Sequence, residues 1–168
     1  MTIIIERVET PVPAVSEFIA AHHAELVGTA PPESCHALPF ERLLAPGVRL
    51  FAAFEDGRAV ASGALAFVDD GHEELKSMRT DPAMRGRGLG RTMLTFLIDD
   101  AARRGIRRLS LETGSDDFFV PARTLYAGAG FVECAAFGRY LPDSNSTFMT
   151  LSPVPAAPLP PEAAPDRR

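Results

Sequence analysis

Residues 78–94, MRTDPAMRGRGLGRTML, concentrate four arginines and three glycines in a chain whose formal net charge is −5. The stretch ends a strand-like segment and leads into a helix that we predict over 88–104. The first turn of a helix carries unpaired N–H groups and the positive end of the dipole, and glycines there let a ligand approach the backbone closely. The combination suits a compact polyanion such as a pyrophosphate, with an arginine-rich solvated loop as the alternative.

Two common phosphate-binding motifs do not match this stretch. A P-loop needs Gly-Lys-Ser/Thr after its glycines, whereas Gly90 is followed by Arg91 and Thr92. A dinucleotide-binding G-x-G-x-x-G that starts at Gly86 or Gly88 lacks its third glycine. The acidic net charge disfavours nucleic acid as a partner. The arginines also cluster at one loop, whereas nucleic-acid binding needs positive charge along a face.

Strand-like and helix-like segments alternate along the chain. Apolar runs on both sides of Glu55-Asp56-Gly57-Arg58 predict a β-hairpin over 48–68, because Asp-Gly between such runs favours a tight turn. The order β-α-α-β-β-β-α-β-α-β-β predicts an α/β fold with a sheet of mixed direction. The remaining predicted elements are strands over 2–8, 73–81, 106–112, 131–138 and 146–151 and helices over 12–27, 39–45, 88–104 and 121–129.

Composition predicts the domain organisation and the compartment. Residues 1–151 are predicted to form a single domain, and the Pro- and Ala-rich residues 152–168 a disordered tail. No apolar run is long enough to span a bilayer, and the N-terminal residues lack the basic region of a secretory signal. Two distant cysteines and the absence of metal-ligand spacing among the histidines predict reduced thiols and no metal site. We therefore predict a cytoplasmic protein with no membrane partner.

Two segments resemble the signatures of the GNAT superfamily of N-acetyltransferases. In ELKSMRTDPAMRGRGLGRTML, Arg85, Gly88 and Gly90 match the acetyl-CoA-binding pattern [Q/R]-x-x-G-x-[G/A]. The segment ARTLYAGAGFVECAAFGRYLPD, residues 122–143, matches the second signature in the family's order. The chain is further similar to a bacterial subgroup of largely uncharacterised small acetyltransferases. The resemblance covers roughly residues 2–151 and implies a GNAT fold, with a largely antiparallel sheet flanked by helices.

The resemblance implies acetyl-CoA as cosubstrate, with the backbone N–H groups of residues 85–90 on its pyrophosphate. Backbone atoms of Met78 and Thr80 would bind the pantetheine arm by adding it to the strand edge, and the Met78 N–H would face the thioester carbonyl oxygen. The cofactor-binding residues implied in this way are Met78, Arg79, Thr80, Arg85, Gly86, Arg87, Gly88, Leu89, Gly90 and Arg91.

Acetyl transfer to an amine also needs a base for the ammonium group and an acid for the leaving thiolate. By resemblance the acid is Tyr126, at the Leu-Tyr position of the second signature; a merely packed aromatic side chain is the alternative. By resemblance Glu74 is the first candidate for the base, because it lies eleven residues before Arg85, where some superfamily members place a general-base glutamate on the same strand. Strand alternation also predicts it on the same sheet face as Met78 and Thr80. Glu112 and a chain of ordered waters are the other candidates.

The acceptor is predicted to bind near the ends of the central strands and the segment between the first two helices. The candidate substrate-binding residues there are Glu33, His36, Glu112 and Ser115. We predict direct transfer, without a covalent enzyme intermediate, to a primary amine of a small molecule. A peptide or protein N-terminus and a non-catalytic acyl-CoA-binding module are the alternatives. The resemblance is also compatible with a homodimer.

Overall fold

The computed structural model describes residues 2–159, and its element order is the one that the sequence predicts. The predicted hairpin is present, and its turn residues Asp56 and Gly57 both have positive φ, at 50° and 78°. Such a turn matches the twist of the two strands that it joins. The elements are β1 (Ile4–Val8), α1 (Pro13–Leu26), α2 (Phe40–Leu43), β2 (Val48–Glu55), β3 (Arg58–Asp69), β4 (His72–Thr80), α3 (Leu89–Arg103), β5 (Arg108–Gly114), α4 (Val120–Gly128), β6 (Val132–Glu133) and β7 (Ser146–Leu151).

The seven strands form one sheet in the order β1-β2-β3-β4-β5-β7-β6, which confirms the predicted mixed α/β fold. All neighbouring pairs are antiparallel except β4 and β5. That parallel pairing covers only His72–Leu75 against Arg108–Leu111, although both strands continue further. Beyond Leu75 and Leu111 the two strands separate, and the sheet opens into a cleft at its centre.

Apolar side chains form a core on each face of the sheet. One core packs α3 and α4 against the sheet through residues such as Leu65, Leu94, Leu97 and Leu111. The other packs α1 and α2 against the first strands. Because helices cover both faces of the sheet, the gap between β4 and β5 is bounded by helices. A ligand can bind in such a gap.

A β-bulge at Ser77 reverses the side-chain alternation of β4. Ser77 has a φ of 53°, and the register between β3 and β4 shifts between Ser62 and Ala64. Leu75 and Met78 therefore both pack into the α3 core, whereas strict alternation would place them on opposite faces. The prediction that Glu74 shares a face with Met78 and Thr80 is wrong for this reason.

One other predicted segment differs from the structure. The strand predicted over 131–138 is reduced to Val132–Glu133, after which the chain leaves the sheet and crosses it through a loop. Phe137 and Tyr140 of this loop pack their rings on Phe148 of β7, at centroid distances of 6.0 and 5.4 Å. These apolar side chains resemble those of a strand, but they pack the loop against the sheet.

The region after β7 contains no further helix or strand among the described residues. The Val154 N–H nevertheless donates a hydrogen bond of 2.9 Å to the Arg107 carbonyl oxygen, and its side chain packs against the α3 core. Residues 160–168 of the predicted tail lie outside the described residues. No helix in the described part is long and apolar enough to cross a membrane.

Replacing Gly63 by alanine is expected to lower the free energy of unfolding by about 1–3 kcal/mol through overpacking. A Cβ there would lie 2.5 Å from Leu97 Cδ1 and 2.9 Å from Met78 Sδ, so β3 and α3 would have to move apart. Gly128→Ala is the matched control, because a Cβ at that helical position has no neighbour within 4 Å. Urea unfolding should show Gly63→Ala destabilised and Gly128→Ala unchanged or stabilised; equal effects would contradict the packing described.

Candidate active site

A cavity of about 1010 Å³ occupies the gap between β4 and β5. Its walls come from the loop before α3, the first turns of α4 and the segment that links α1 to α2. Most of the predicted site residues line it together, although they are distant in sequence. They are His36, Met78, Arg79, Thr80, Arg85, Gly86, Gly88, Leu89, Gly90, Arg91, Glu112 and Tyr126.

The glycine loop presents backbone N–H groups to this cavity. Gly86 and Gly88 have φ values of 77° and 81°, in the left-handed region that a side chain disfavours. Gly88 is the N-cap of α3, a helix of 15 residues, and no side chain caps that end. The first N–H groups of α3 are therefore free to bind an anion, as the sequence predicts for a pyrophosphate.

The arginines around this loop divide into two groups. Arg85 and Arg91 line the cavity, where they can reach a bound phosphate. Arg87 does not line it: its guanidinium lies 3.8 Å from Glu55 and contacts the Met84 sulfur at 2.8 Å. The structure does not bring the Arg87 side chain to the predicted cofactor position.

The side chain of Arg79 is turned away from the cofactor position. Its guanidinium donates to Glu25 Oε1 at 2.7 Å and to the Phe18 carbonyl oxygen at 3.1 Å, and it lies over the Phe18 ring. Only 7% of this side chain is exposed. It fastens α1 to β4, so the part of Arg79 available to a cofactor is again the backbone.

The edge of β4 that faces β5 is unpaired beyond Leu75. The backbone of Lys76–Thr80 therefore offers open hydrogen-bonding groups along the cavity wall. An extended chain of amide groups fits such an edge by strand addition. The bulge at Ser77 brings the backbone of Met78 to this edge at the centre of the sheet.

Tyr126 lies on α4 with 6% of its surface exposed, and it lines the cavity. Burial raises the pKa of its hydroxyl, and the nearby Glu112 carboxylate raises it further. Within residues 2–159 the hydroxyl has no hydrogen-bond partner from the protein, although the ring packs beside Phe131. A protonated hydroxyl facing an open cavity is available to donate to a ligand.

Glu112, on β5, accepts a hydrogen bond of 2.7 Å from the Ser146 hydroxyl. Burial raises the pKa of its carboxyl group, and the nearby Glu74 adds to that effect. The Ser146 hydrogen bond and the positive potential of His36 and Lys76 act in the opposite direction. A half-buried carboxylate with a raised pKa is suited to accept a proton near neutral pH.

Glu74 is not among the residues that line the cavity. Its Oε1 accepts hydrogen bonds from Lys76 Nζ, at 3.0 Å, and from the Tyr140 hydroxyl. Lys76 also donates to the Tyr140 oxygen at 2.9 Å. The carboxylate is thus held by hydrogen bonds to two side chains that also contact each other, with Lys76 as its ionic partner. The structure does not bring it to the cavity in which the acceptor is predicted to bind.

Of the remaining predicted substrate-binding residues, one lines the cavity and two do not. His36 lines the cavity, and its ring contacts the edge of Tyr140 at a centroid distance of 4.9 Å. Glu33 is exposed in a short 3-10 turn, and the Ser115 hydroxyl donates to the Ser144 carbonyl oxygen at 2.7 Å. Neither Glu33 nor Ser115 lines the cavity.

Asn145 and His22 line the cavity but carry no recognisable signal in the sequence. The Asn145 amide donates to the Ser34 hydroxyl at 3.4 Å, which joins the segment before α2 to the loop before β7. Burial lowers the pKa of His22 to about 4, with a contribution from Arg79, so its imidazole is neutral near pH 7. Within residues 2–159, no cluster of three or more ligating side chains could hold a metal.

The sequence profile described as the acetyltransferase (GNAT) family matches residues 14–131, which include the glycine loop and Tyr126. The chain belongs to this family. It is therefore an acyltransferase, and the family implies acetyl-CoA as the cosubstrate.

Several bacterial proteins are similar to this acetyltransferase. It is 41% identical to the uncharacterised N-acetyltransferase YsnE of Bacillus subtilis over 81% of this chain and 90% of that protein. It is 37% identical to an IAA acetyltransferase of Azospirillum brasilense, over 71% of this chain and 77% of that protein. It is 30% identical to the ribosomal protein bS18-alanine N-acetyltransferase of Escherichia coli, over 75% of this chain and 82% of that protein. Among solved structures, a Klebsiella pneumoniae protein assigned as an acyl-CoA N-acyltransferase superimposes with a TM-score of 0.72 at 29% identity, and the match covers 90% of this chain and 97% of that one.

Proposed function

We propose that this acetyltransferase moves the acetyl group of acetyl-CoA directly to a primary amine of a small molecule. The observation that carries the proposal is the continuous cavity, which reaches from the α3 N-terminus, past Tyr126, to Glu112 and His36. A cosubstrate bound along β4 would place its thioester in the gap between the strands. An amine bound at Glu112 would then lie beside it. We also propose that the reaction takes place in the cytoplasm.

The proposed reaction assigns one proton transfer to each of two side chains. Glu112 accepts a proton from the ammonium group of the acceptor, and the free amine forms a bond to the thioester carbonyl carbon. The Met78 N–H stabilises the oxyanion that develops. As the C–S bond breaks, the Tyr126 hydroxyl gives its proton to the thiolate. The nitrogen of the intermediate loses its second proton to water, and water in turn reprotonates the Tyr126 oxygen. The products are the acetylated amine and CoA.

Glu112 is preferred to Glu74 as the base for two reasons. Glu112 lines the cavity, and its one hydrogen bond within residues 2–159, from Ser146, leaves the carboxylate free to accept a proton. Glu74 accepts from both Lys76 and Tyr140 and does not line the cavity. A proton chain through water to Glu112 would serve the same role.

A peptide N-terminus is the second candidate acceptor, because one relative is named as an alanine N-acetyltransferase of a ribosomal protein. The acceptor side of the cavity favours a small molecule, since Asn145 on Ser34 and Tyr140 on His36 join the two loops that bound it. With its N-terminus at Glu112, a peptide would need a different opening of the cavity for its remaining residues.

Thiol release measured with a panel of amines, amino acids and short peptides tests this proposal. We expect acetyl-CoA cleavage that depends on a small amine and exceeds the rate with any peptide. Preference for a peptide would replace the small molecule as acceptor. Binding of acetyl-CoA without thiol release for any acceptor would instead indicate a binding module.

Replacement of Gly88 by alanine is expected to weaken acetyl-CoA binding at least about tenfold, because the phosphate-binding backbone would lose its left-handed residue. In the parent protein, acetyl-CoA at about 100 times its Kd should raise the Tm by about 5–10 °C. Gly57→Ala, in the β2–β3 turn, is the control: its φ is 78° and its Cβ would also have no neighbour within 4 Å. Both variants should lose about 1 kcal/mol of stability, but at the same acetyl-CoA concentration only Gly88→Ala should lose about half or more of the ligand-induced shift.

A further inference from the structure

The lysine and arginine side chains at the acceptor end of the cavity are already paired. We define this end as the part lined by residues 26–30, Pro32, residues 34–37, Lys76, Arg79 and Glu112. Lys76 is bound to Glu74, and Arg79 is bound to Glu25 at 2.7 Å. Both side chains are nearly buried, with 11% and 7% exposed. Neither cation is free to bind an anionic group of an acceptor.

The carboxylate of Glu112 is in the opposite situation. Among residues 2–159 no lysine or arginine forms a salt bridge with it, and its hydrogen bond comes from the neutral Ser146 hydroxyl. The imidazole of His36 lies close enough to act on Glu112 electrostatically, but among the described residues it forms no salt bridge with it. The acceptor end thus presents one carboxylate without an ionic partner, which favours one positive charge on the acceptor.

Apolar side chains are frequent in the lining of the cavity beyond this carboxylate. The segment between α1 and α2 contributes mainly small or apolar side chains, with Ser34 and His36 as polar members. Phe118, in the short turn after β5, also lines the cavity and has 48% of its surface exposed. Val27, in the same lining, is 81% exposed. Exposed apolar residues at the wall of a pocket are typical of a surface that an apolar ligand covers. The lining residues of this segment with apolar side chains are Leu26, Val27, Ala30, Pro32 and Ala37.

We propose that the acceptor is an apolar monoamine, with a single ammonium group, an aryl or alkyl body and no carboxylate. This inference rests on the proposed function and names its substrate class. The ammonium faces Glu112, and the body lies against the segment between α1 and α2. An α-amino acid would bring its carboxylate beside Glu112, where neither Lys76 nor Arg79 is free to receive it. A diamine would place its second charge against the apolar wall.

Three matched acceptors test the inference: phenethylamine, L-phenylalanine and L-phenylalanine amide. We expect kcat/KM for phenethylamine to exceed that for phenylalanine at least about tenfold, since the site has no partner for the carboxylate. The amide matches phenylalanine in size but lacks its negative charge, so its kcat/KM should be close to that of phenethylamine. 1,5-Diaminopentane should be a poorer acceptor than pentylamine.

Glu74→Gln provides an independent test in the protein itself. It would release Lys76 from its ionic partner beside the cavity, so acetylation of phenylalanine should rise relative to phenethylamine by at least about threefold. Glu133→Gln makes the same chemical change on the exposed edge strand β6, and it should leave the ratio as in the parent enzyme.

The outcomes separate this inference from the proposed function. A kcat/KM for phenylalanine that equals or exceeds that for phenethylamine would overturn the inference while leaving the small-amine acetyltransferase intact. Poor activity with both phenylalanine and its amide would assign the discrimination to size, and this too would contradict it. Failure of every amine, with acetyl-CoA still raising the Tm, would overturn both proposals.

Discussion

Replacement of Tyr126 by phenylalanine is expected to lower kcat about a hundredfold, the usual contribution of a positioned general acid. The hydroxyl lines the cavity, and burial together with Glu112 keeps it protonated by raising its pKa. The substitution removes the proton donor and leaves the packing on Phe131 in place. The KM for acetyl-CoA and the Tm should therefore change little. Steady-state kinetics and thermal unfolding measure the two effects.

Tyr140→Phe is the matched control for that experiment, because the chain contains only these two tyrosines. Its hydroxyl is bound to Glu74 and Lys76, outside the cavity lining. We expect kcat for Tyr140→Phe to stay within a few-fold of the parent enzyme. Equal losses for the two variants, or full activity of Tyr126→Phe, would contradict the assignment of Tyr126 as the acid.

Replacement of Glu112 by glutamine is expected to lower kcat/KM about a hundredfold or more, since it removes both the base and the charge that faces the ammonium. In the parent enzyme, activity should fall as the pH drops through the pKa of Glu112, which burial holds above its ordinary value of 4.5. Activity falls in this direction because Glu112 must be ionised to accept a proton from the ammonium group. This acid limb of the pH profile should be absent in Glu112→Gln.

The stability of the same variant has a defined pH dependence. A raised pKa means that the ionised Glu112 is less favourable in the folded protein, so its contribution is lost as the pH rises through that pKa. Glu112→Gln, which stays neutral, should therefore unfold at an equal or higher temperature than the parent at pH 7. A retained acid limb, or a marked loss of stability at pH 7, would point to a structural role instead.

Local patterns were sufficient to predict most of the fold. The Asp56-Gly57 turn favours positive φ at both positions, and the hairpin lies where this pair indicates. The glycines before α3 likewise mark the N-terminal end of that helix, which no side chain caps. These features depend on backbone preferences of a few adjacent residues, so the sequence carries them directly.

The candidate base could not be chosen from the sequence because two effects depend on tertiary structure. The bulge at Ser77 reverses which side chains of β4 point to each face, and a non-glycine residue with φ of 53° has no sequence signal. The pairing of Glu74 with Lys76 and Tyr140 brings together two elements far apart in the chain. The resemblance and strand alternation therefore favoured Glu74, whereas the geometry favours Glu112.

The acceptor end was the least predictable part of the site. Asn145 reaches it only because the loop after β6 leaves the sheet and returns next to Ser34. A strand was predicted where that loop begins, since its aromatic residues resemble those of a strand. Residues brought to a site by such long-range packing carry no spacing that could identify them.

Direct transfer of the acetyl group is the central claim, and a single-turnover experiment tests it most directly. Enzyme in excess is mixed with phenethylamine and acetyl-CoA that carries an isotope-labelled acetyl group, and amine and protein are followed by mass spectrometry. We predict that the label passes from CoA to N-acetylphenethylamine without transient labelling of the protein. Label on the protein before it reaches the amine, or loss of acetyl-CoA with no acetylated amine, would contradict the account.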